Sequence, residues 1–301
     1  MKMIMKIAKP FDFEATLKTH GWFQLPPFYW DDGDKKLFWA IKPDNRPPIL
    51  VSVQSIENST AEQTLEIFST DNSLSPEYMQ HKLRYVLNLD LDLNAFYALC
   101  AGHPLLKHVL DRGIGRIMRA ESLYEDIFKS ICGTNVQWNQ AVKMIRNIST
   151  LGESVGNSHY RVFPSPVQII NAGDSFLKEV GRVGYRSRYL LAAAQFFLNH
   201  DPRVKQAEQG LLSFQELRDF FTGFAGIGPV TARYLTALYG HYNEMAIDSL
   251  VISYVSKHYC NGNTATVAEI KSLYAPFGKW QYLAYWMEFI INEGWLPSEP
   301  T

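Results

Sequence analysis

The stretch Phe224-Ala225-Gly226-Ile227-Gly228-Pro229 decides how the rest of the 301-residue chain is read. Upstream, Ser213-Phe214-Gln215-Glu216 has capping-box spacing and opens a helix with Leu217 and Phe221 on its inner side. That helix ends near Thr222, and Pro229 takes the favoured first position of a second one. Two glycines between them let the backbone bend tightly and approach a partner without a Cβ in the way. The free N–H groups at the start of the second helix form an anion site suited to a phosphate. On this reading the segment is a helix–hairpin–helix, which holds a DNA backbone without reading its sequence. Two rivals fit the same residues. One is a nucleotide-binding loop, although no strand precedes it and no third glycine follows in register; the other is a plain helix–turn–helix inside a core.

Asp248, twenty residues after Gly228, shifts the balance. Ile247-Asp248-Ser249-Leu250-Val251 reads as a loop followed by a new helix carrying Leu250, Val251, Tyr254 and Val255. Asp is a good N-cap, worth about 1 kcal/mol, and a helix start also favours an ionised carboxylate. A charged carboxylate in a cleft can activate water or stabilise an oxocarbenium-like sugar cation. Cap and catalyst are compatible roles.

Outward from this centre the pattern is helical back to about residue 90. Leu123, Ile127 and Ile131 share one face, and Leu190, Leu191, Ala194, Phe197 and Leu198 form another apolar stripe. The first 90 residues differ. Leu37-Phe38-Trp39-Ala40-Ile41 and Ile49-Leu50-Val51-Ser52-Val53 are β-rich, joined by a turn-like Pro-rich segment at 42–48, and a third run alternates at Leu65 and Ile67. These predict an antiparallel sheet with helices attached, one starting near Phe13-Glu14-Ala15-Thr16-Leu17. The fold class is therefore α+β: an N-terminal sheet domain over 1–90 and a two-lobed helical domain over 91–301. No catalytic constellation stands out in the first part.

Composition sets outer limits. The chain is 47% hydrophobic and 20% charged with a formal net charge of −1, as expected of an ordinary globular protein. Aromatic residues reach 14%, which suits stacking surfaces or aromatic pockets. No apolar run approaches ~18 residues, so no membrane span is expected. The first residues, Met1-Lys2-Met3-Ile4-Met5-Lys6, carry no secretory pattern, and cytoplasm is the expected compartment. Cys100, Cys132 and Cys260 match no zinc spacing, and three cysteines cannot supply a four-cysteine iron–sulfur site. Residues 101–190 carry 12 basic against 7 acidic side chains, a mildly basic middle compatible with a nucleic-acid face or with solvated helix faces.

The hairpin with its downstream Asp resembles the helix–hairpin–helix superfamily of DNA base-excision glycosylases, which includes endonuclease III, 8-oxoguanine DNA glycosylase and bacterial 3-methyladenine DNA glycosylase. Tyr124-Glu125-Asp126-Ile127-Phe128-Lys129-Ser130-Ile131-Cys132-Gly133-Thr134-Asn135 is similar to the helix before the DNA-inserting loop of these enzymes. Gly181 to Tyr189, with Gly184-Tyr185-Arg186 at its centre, is similar to the segment that presses on the base pair around the lesion. The N-terminal sheet resembles an accessory domain shared by the latter two enzymes. The resemblance implies Asp248 as catalytic carboxylate, Asn135 filling the gap left by a flipped nucleotide, Tyr185 wedging into the stack and Arg186 contacting the opposite strand. It also implies backbone carbonyls of Thr222, Phe224 and Ile227 around a monovalent cation such as Na⁺ or K⁺. Tyr185 as a core aromatic and Asn135 as a cap are the alternatives.

The chain also departs from relatives that cleave the strand. They carry a lysine two residues after the second glycine, where this sequence has Val230. With no amine there and no iron–sulfur set, the resemblance points to a monofunctional glycosylase needing no cofactor. Its expected partner is damaged double-stranded DNA, engaged by a monomer. Trp138, Tyr239, Trp280, Tyr282 and Trp286 offer a π-rich pocket for an electron-poor alkylated base, or, for Trp280, Tyr282 and Trp286, core positions at helical spacing. An oxidised-guanine glycosylase and a non-catalytic damage-binding protein are the alternative functions.

Overall fold

Lys2, Ile4 and Lys6 face outward while Met3, Met5 and Ile7 face inward, and this period of two makes β1 (Lys2–Ala8) the edge of a sheet. The computed structural model describes residues 1–44, 46–59 and 61–296; Asn45 in the expected turn and residues 297–301 at the chain end lie outside the described residues. The other strands are β2 (Phe28–Asp31), β3 (Lys36–Ile41), β4 (Ile49–Asn58) and β5 (Glu62–Ser69). Their order is β1-β5-β4-β3-β2, every neighbouring pair antiparallel. The register lines up Met3, Ile67, Val53 and Leu37 across four strands, which gives the sheet one continuous apolar face. That face packs with α1 (Phe13–Lys18), capped by Asp12, and α2 (Pro76–Val86), capped by Ser75.

The rest is helical: α3 (Asn94–Cys100), α4 (Leu123–Gly133), α5 (Trp138–Ser149), α6 (Pro166–Glu179), α7 (Ser187–Leu198) and α8 (Pro202–Glu208). The hairpin pair follows as α9 (Phe214–Thr222) and α10 (Pro229–Leu238), then α11 (Ser249–Tyr259), α12 (Val267–Tyr274) and α13 (Gln281–Asn292). Helix α4 is buried from Leu123 to Cys132 and packs on α5, α7, α8 and α10, which makes it the axis of this part. No helix among the described residues is long and apolar enough to cross a membrane.

Two apolar cores result, but they do not divide the chain cleanly near residue 90. Ala15, Trp22 and Leu25 belong to the helical core, while Met118 belongs to the sheet core. The N-terminal segment thus crosses over and packs where the helices converge. The three cysteines are free, and burial pushes the Cys100 and Cys132 thiols up to about 12.

Candidate active site

The turn between α9 and α10 is built as its residues require. Ser213 and Glu216 form a reciprocal capping box at the start of α9, and Gly228 is the N-cap of α10 with Pro229 following. Gly226 sits at φ 89°, and a Cβ there would lie 2.6 Å from Cδ2 of Tyr189. No other residue type fits that position without strain and displacement. Gly228 differs: its φ is −85° and the space a Cβ would enter is open. Thr222, Phe224 and Ile227 lie along this turn, where the Phe224 carbonyl accepts the Ile227 N–H at 3.0 Å.

Asp248 caps α11. Its Oδ1 accepts from the N–H groups of Leu250 and Val251 at 2.9 and 3.0 Å. One carboxylate oxygen is thereby fixed by the helix start, leaving Oδ2 for chemistry. Asp248 is exposed and lines a cavity of about 230 Å³. Around it stand Trp22, Lys129, Trp138, Val230, Tyr234, Tyr282, Tyr285 and Trp286. Tyr282 and Trp286 are one turn apart on α13 and stack at 6.3 Å with an interplanar angle of 15°. Trp138, at the start of α5, lies 5.9 Å from Trp22.

Two expected pocket residues lie elsewhere. Trp280 precedes α13 in a 3-10 segment kinked at Gly278, and it packs on Phe96 and Tyr242 in the core. Tyr239 does not line this cavity but a second one, donating to Asp126 at 3.0 Å and facing the Arg119 guanidinium. Helical spacing of about 100° per residue puts Tyr282 and Trp286 on one face of α13 and Trp280, its N-cap, on another.

Sequence reasoning missed the N-terminal contribution. Trp22, in the 3-10 turn Gly21–Gln24, enters the helical core and donates from Nε1 to Asp126 Oδ1 at 2.8 Å. Gly21 is what allows it: a Cβ there would come within 2.3 Å of the Trp138 ring. Trp286 Nε1 donates to the Thr19 carbonyl at 2.9 Å and ties the same segment to α13. The signal was the cluster His20-Gly21-Trp22, an aromatic pair around a glycine, but nothing local ties it to residues more than a hundred positions away.

Lys129 was passed over as well. Its side chain is fully buried, with Nζ 3.0 Å from Glu125 Oε2 in an ion pair off hydrogen-bond geometry. The ammonium also lies over the Phe163, Trp22 and Phe28 rings at 5.1, 5.7 and 5.8 Å. Burial pushes the Glu125 carboxyl up despite this partner.

The segments expected to meet DNA divide in character. Tyr185 is half exposed, in the 3-10 turn Gly184–Arg186, and is not a core aromatic. Asn135 is exposed in the loop after α4 with φ 51°, a left-handed conformation that Asn tolerates, and the cap of α5 is Gln137. Arg186 corrects the expectation of an outward reach. It is buried, its Nε donates to the Thr134 carbonyl at 3.1 Å, Nη2 donates to the same oxygen, and Nη1 donates to Val183. The fork is spent on the backbone next to Asn135, so Arg186 holds that loop in place.

No family model and no curated protein matches the sequence. Solved structures do match the fold. The 3-methyladenine DNA glycosylase from Archaeoglobus fulgidus superposes with a TM-score of 0.74 at 21% identity, covering 97% of this chain and 98% of that one. MBOgg1, solved with a low-affinity DNA ligand, gives 0.73 at 23% identity over 97% and 96% of the two chains. The apo 8-oxoguanine glycosylase/lyase from Clostridium acetobutylicum gives 0.70 at 19% identity, covering 96% and 95%. At such identities the likeness is one of fold. Over nearly its whole length, this chain has the fold of the helix–hairpin–helix DNA glycosylases.

Proposed function

We propose that the protein is a monofunctional DNA glycosylase that flips a damaged, alkylated purine out of the duplex and hydrolyses its N-glycosidic bond. The observation that carries this reading is Asp248: one oxygen is locked by the start of α11 and the other has no hydrogen-bond partner among the described residues, at an aromatic cavity beside the hairpin. Flipping is needed because the sugar carbon C1′ is shielded in the stack, and it costs a few kcal/mol, least at damaged pairs. Gly228 and the N–H groups opening α10 would meet a phosphate, Tyr185 would occupy the disturbed stack, and Asn135 would fill the vacated position. A monovalent cation held by carbonyls of Thr222, Phe224 and Ile227 would add positive charge at that phosphate.

In the cavity, the aromatic rings favour a base that already carries positive charge. When the C1′–N bond breaks, its electron pair goes to such a base, which leaves neutral without needing a proton. The sugar carbon becomes cationic next to the Asp248 carboxylate, and electrostatic stabilisation there lowers the barrier. Water adds to C1′, and its proton passes to the carboxylate or to solvent. Among the described residues lining the cavity the one amine is that of Lys129, sequestered by Glu125, and Val230 offers none, which supports hydrolysis over strand cleavage.

Asp248→Asn tests the reading. Asn is as good a cap, so thermal stability should hold. Single-turnover release of 7-methylguanine or 3-methyladenine from duplex DNA should fall by about two or more orders of magnitude, roughly 3 kcal/mol of barrier. Near-wild-type release would return Asp248 to a capping role alone.

A further inference from the structure

We infer that Tyr234 is a hydrogen-bond donor to the flipped base, its hydroxyl hydrogen freed for the cavity because His20 donates to the phenol oxygen from Nε2. This deepens the glycosylase reading and rests on it. His20 is buried, and its Nε2 is hydrogen-bonded to the Tyr234 hydroxyl, the two rings stacked at 5.8 Å. Its Nδ1 is also buried and has no hydrogen-bond partner among the described residues. Burial, and then the Lys129 charge, lower the imidazole pKa to about 3, so the ring is neutral and carries one proton.

That proton has two places to sit. On Nδ1 it would be a buried N–H with no acceptor among the described residues; the Trp22 ring, perpendicular to the imidazole with centroids 4.3 Å apart, is a poor substitute for an oxygen. On Nε2 it is donated to Tyr234, and Nδ1 keeps only an unpartnered lone pair. Buried N–H groups without acceptors are the rarer and costlier defect, so the Nε2–H tautomer wins. The Tyr234 oxygen then acts as acceptor toward His20 and retains its own hydrogen for a second partner. Tyr234 lines the cavity together with Asp248 and Tyr282, so an entering base can supply that partner. Burial, reinforced by Tyr282, Asp126 and Asp248, holds the phenol far above its usual pKa, so the donor persists across working pH.

The consequence is selectivity. A base presenting a carbonyl oxygen or a bare ring nitrogen to Tyr234 gains a bond, and one presenting an amino group there does not. His20 is a positioning residue; Tyr234 is the one that touches the base.

The test has two arms. Nitrogen-15 NMR of the imidazole rings in the wild-type protein should show His20 protonated at Nε2 and bare at Nδ1. Single-turnover excision is then measured on duplexes holding 7-methylated purines from which the 6-oxo group or N3 has been removed in turn. Tyr234→Phe should slow release of the parent base about ten-fold, the worth of one net hydrogen bond. It should have no further effect on the one analogue that lacks the matching acceptor. His20→Gln, which keeps an N–H near the same place, should retain the discrimination that His20→Leu loses. An Nδ1–H tautomer, or a Tyr234→Phe effect equal on every base, overturns the inference. Failure of the wild type to release any base overturns the glycosylase reading instead.

Discussion

Trp22 and Asp126 meet through a 2.8 Å hydrogen bond that spans 104 positions of sequence and joins the N-terminal segment to the central helix of the other part. Oδ1 of Asp126 also accepts from the Ala120 N–H at 3.0 Å, and Oδ2 from the Tyr239 hydroxyl. The carboxyl is fully buried, and burial raises its pKa against these three bonds. It anchors one aromatic wall of the cavity. Asp126→Ala would strand the buried Trp22 and Ala120 donors and leave the Tyr239 hydroxyl only Tyr85 as partner, and should cost roughly 3 kcal/mol in urea unfolding. Asp126→Asn keeps an acceptor for Trp22 and Ala120 and turns an amide toward a hydroxyl that can accept, so it should cost under about 1 kcal/mol. Equal losses in the two variants would show that packing, not the bonds, holds Trp22.

The two hairpin glycines should separate on substitution. Gly228→Ala places a methyl group in open space at an unstrained backbone, so stability should hold while affinity for damaged and undamaged duplexes falls together. Gly226→Ala faces a positive φ and the Tyr189 ring, and should lose about 1–3 kcal/mol of stability. Unchanged DNA affinity in Gly228→Ala would make the hairpin purely structural.

These cases show what the sequence could and could not reveal. The hairpin, the Ser213 capping box and the Asp248 cap were legible because each is settled by residues within a turn of one another. Strand β1 was not recognised, because outward-facing Ile4 breaks the polar alternation and makes Met3–Met5 look uniformly apolar. Tyr282 and Trp286 line the cavity from one face of α13, whereas Trp280, the N-cap before it, falls on another face by ordinary helical spacing. Trp22, His20 and Lys129 were invisible as site residues, since their partners come from distant segments. Arg186 looked available because a sequence cannot show that the Thr134 carbonyl already occupies its fork.

His20 gives the acid stability a defined sign. Its folded pKa of about 3 lies below the unfolded value of about 6.5, so the unfolded chain binds the extra proton between those limits. The stability this contributes is present above pH 6.5 and is lost as pH falls, by up to ~1.4 kcal/mol per pH unit. Glu125 acts in the opposite sense: its raised pKa favours the folded state at low pH, and that contribution fades as pH rises. The comparison to make is therefore wild type against His20→Gln in urea melts between about pH 7 and 4. The wild type should lose stability faster, and parallel curves would mean that His20 is charged in the folded protein.

Strand cleavage after base release requires a neutral amine that attacks the sugar and forms a Schiff base. Val230, in the first turn of α10, lines the cavity and offers no amine. Arg233, one turn on, pairs with Glu244 and is a poor nucleophile in any case. Among the described residues lining this cavity the one lysine is Lys129, held by Glu125 beneath the Trp22 ring with no exposed surface. The product should therefore be an intact abasic strand, cut only after added alkali. Borohydride present during excision should trap little covalent protein–DNA adduct. If a strong adduct forms, Lys129→Met identifies its source: loss of trapping would mean that DNA binding opens the Glu125 pair and delivers Lys129 to the sugar. Persistent trapping would place the nucleophile on a lysine outside this cavity.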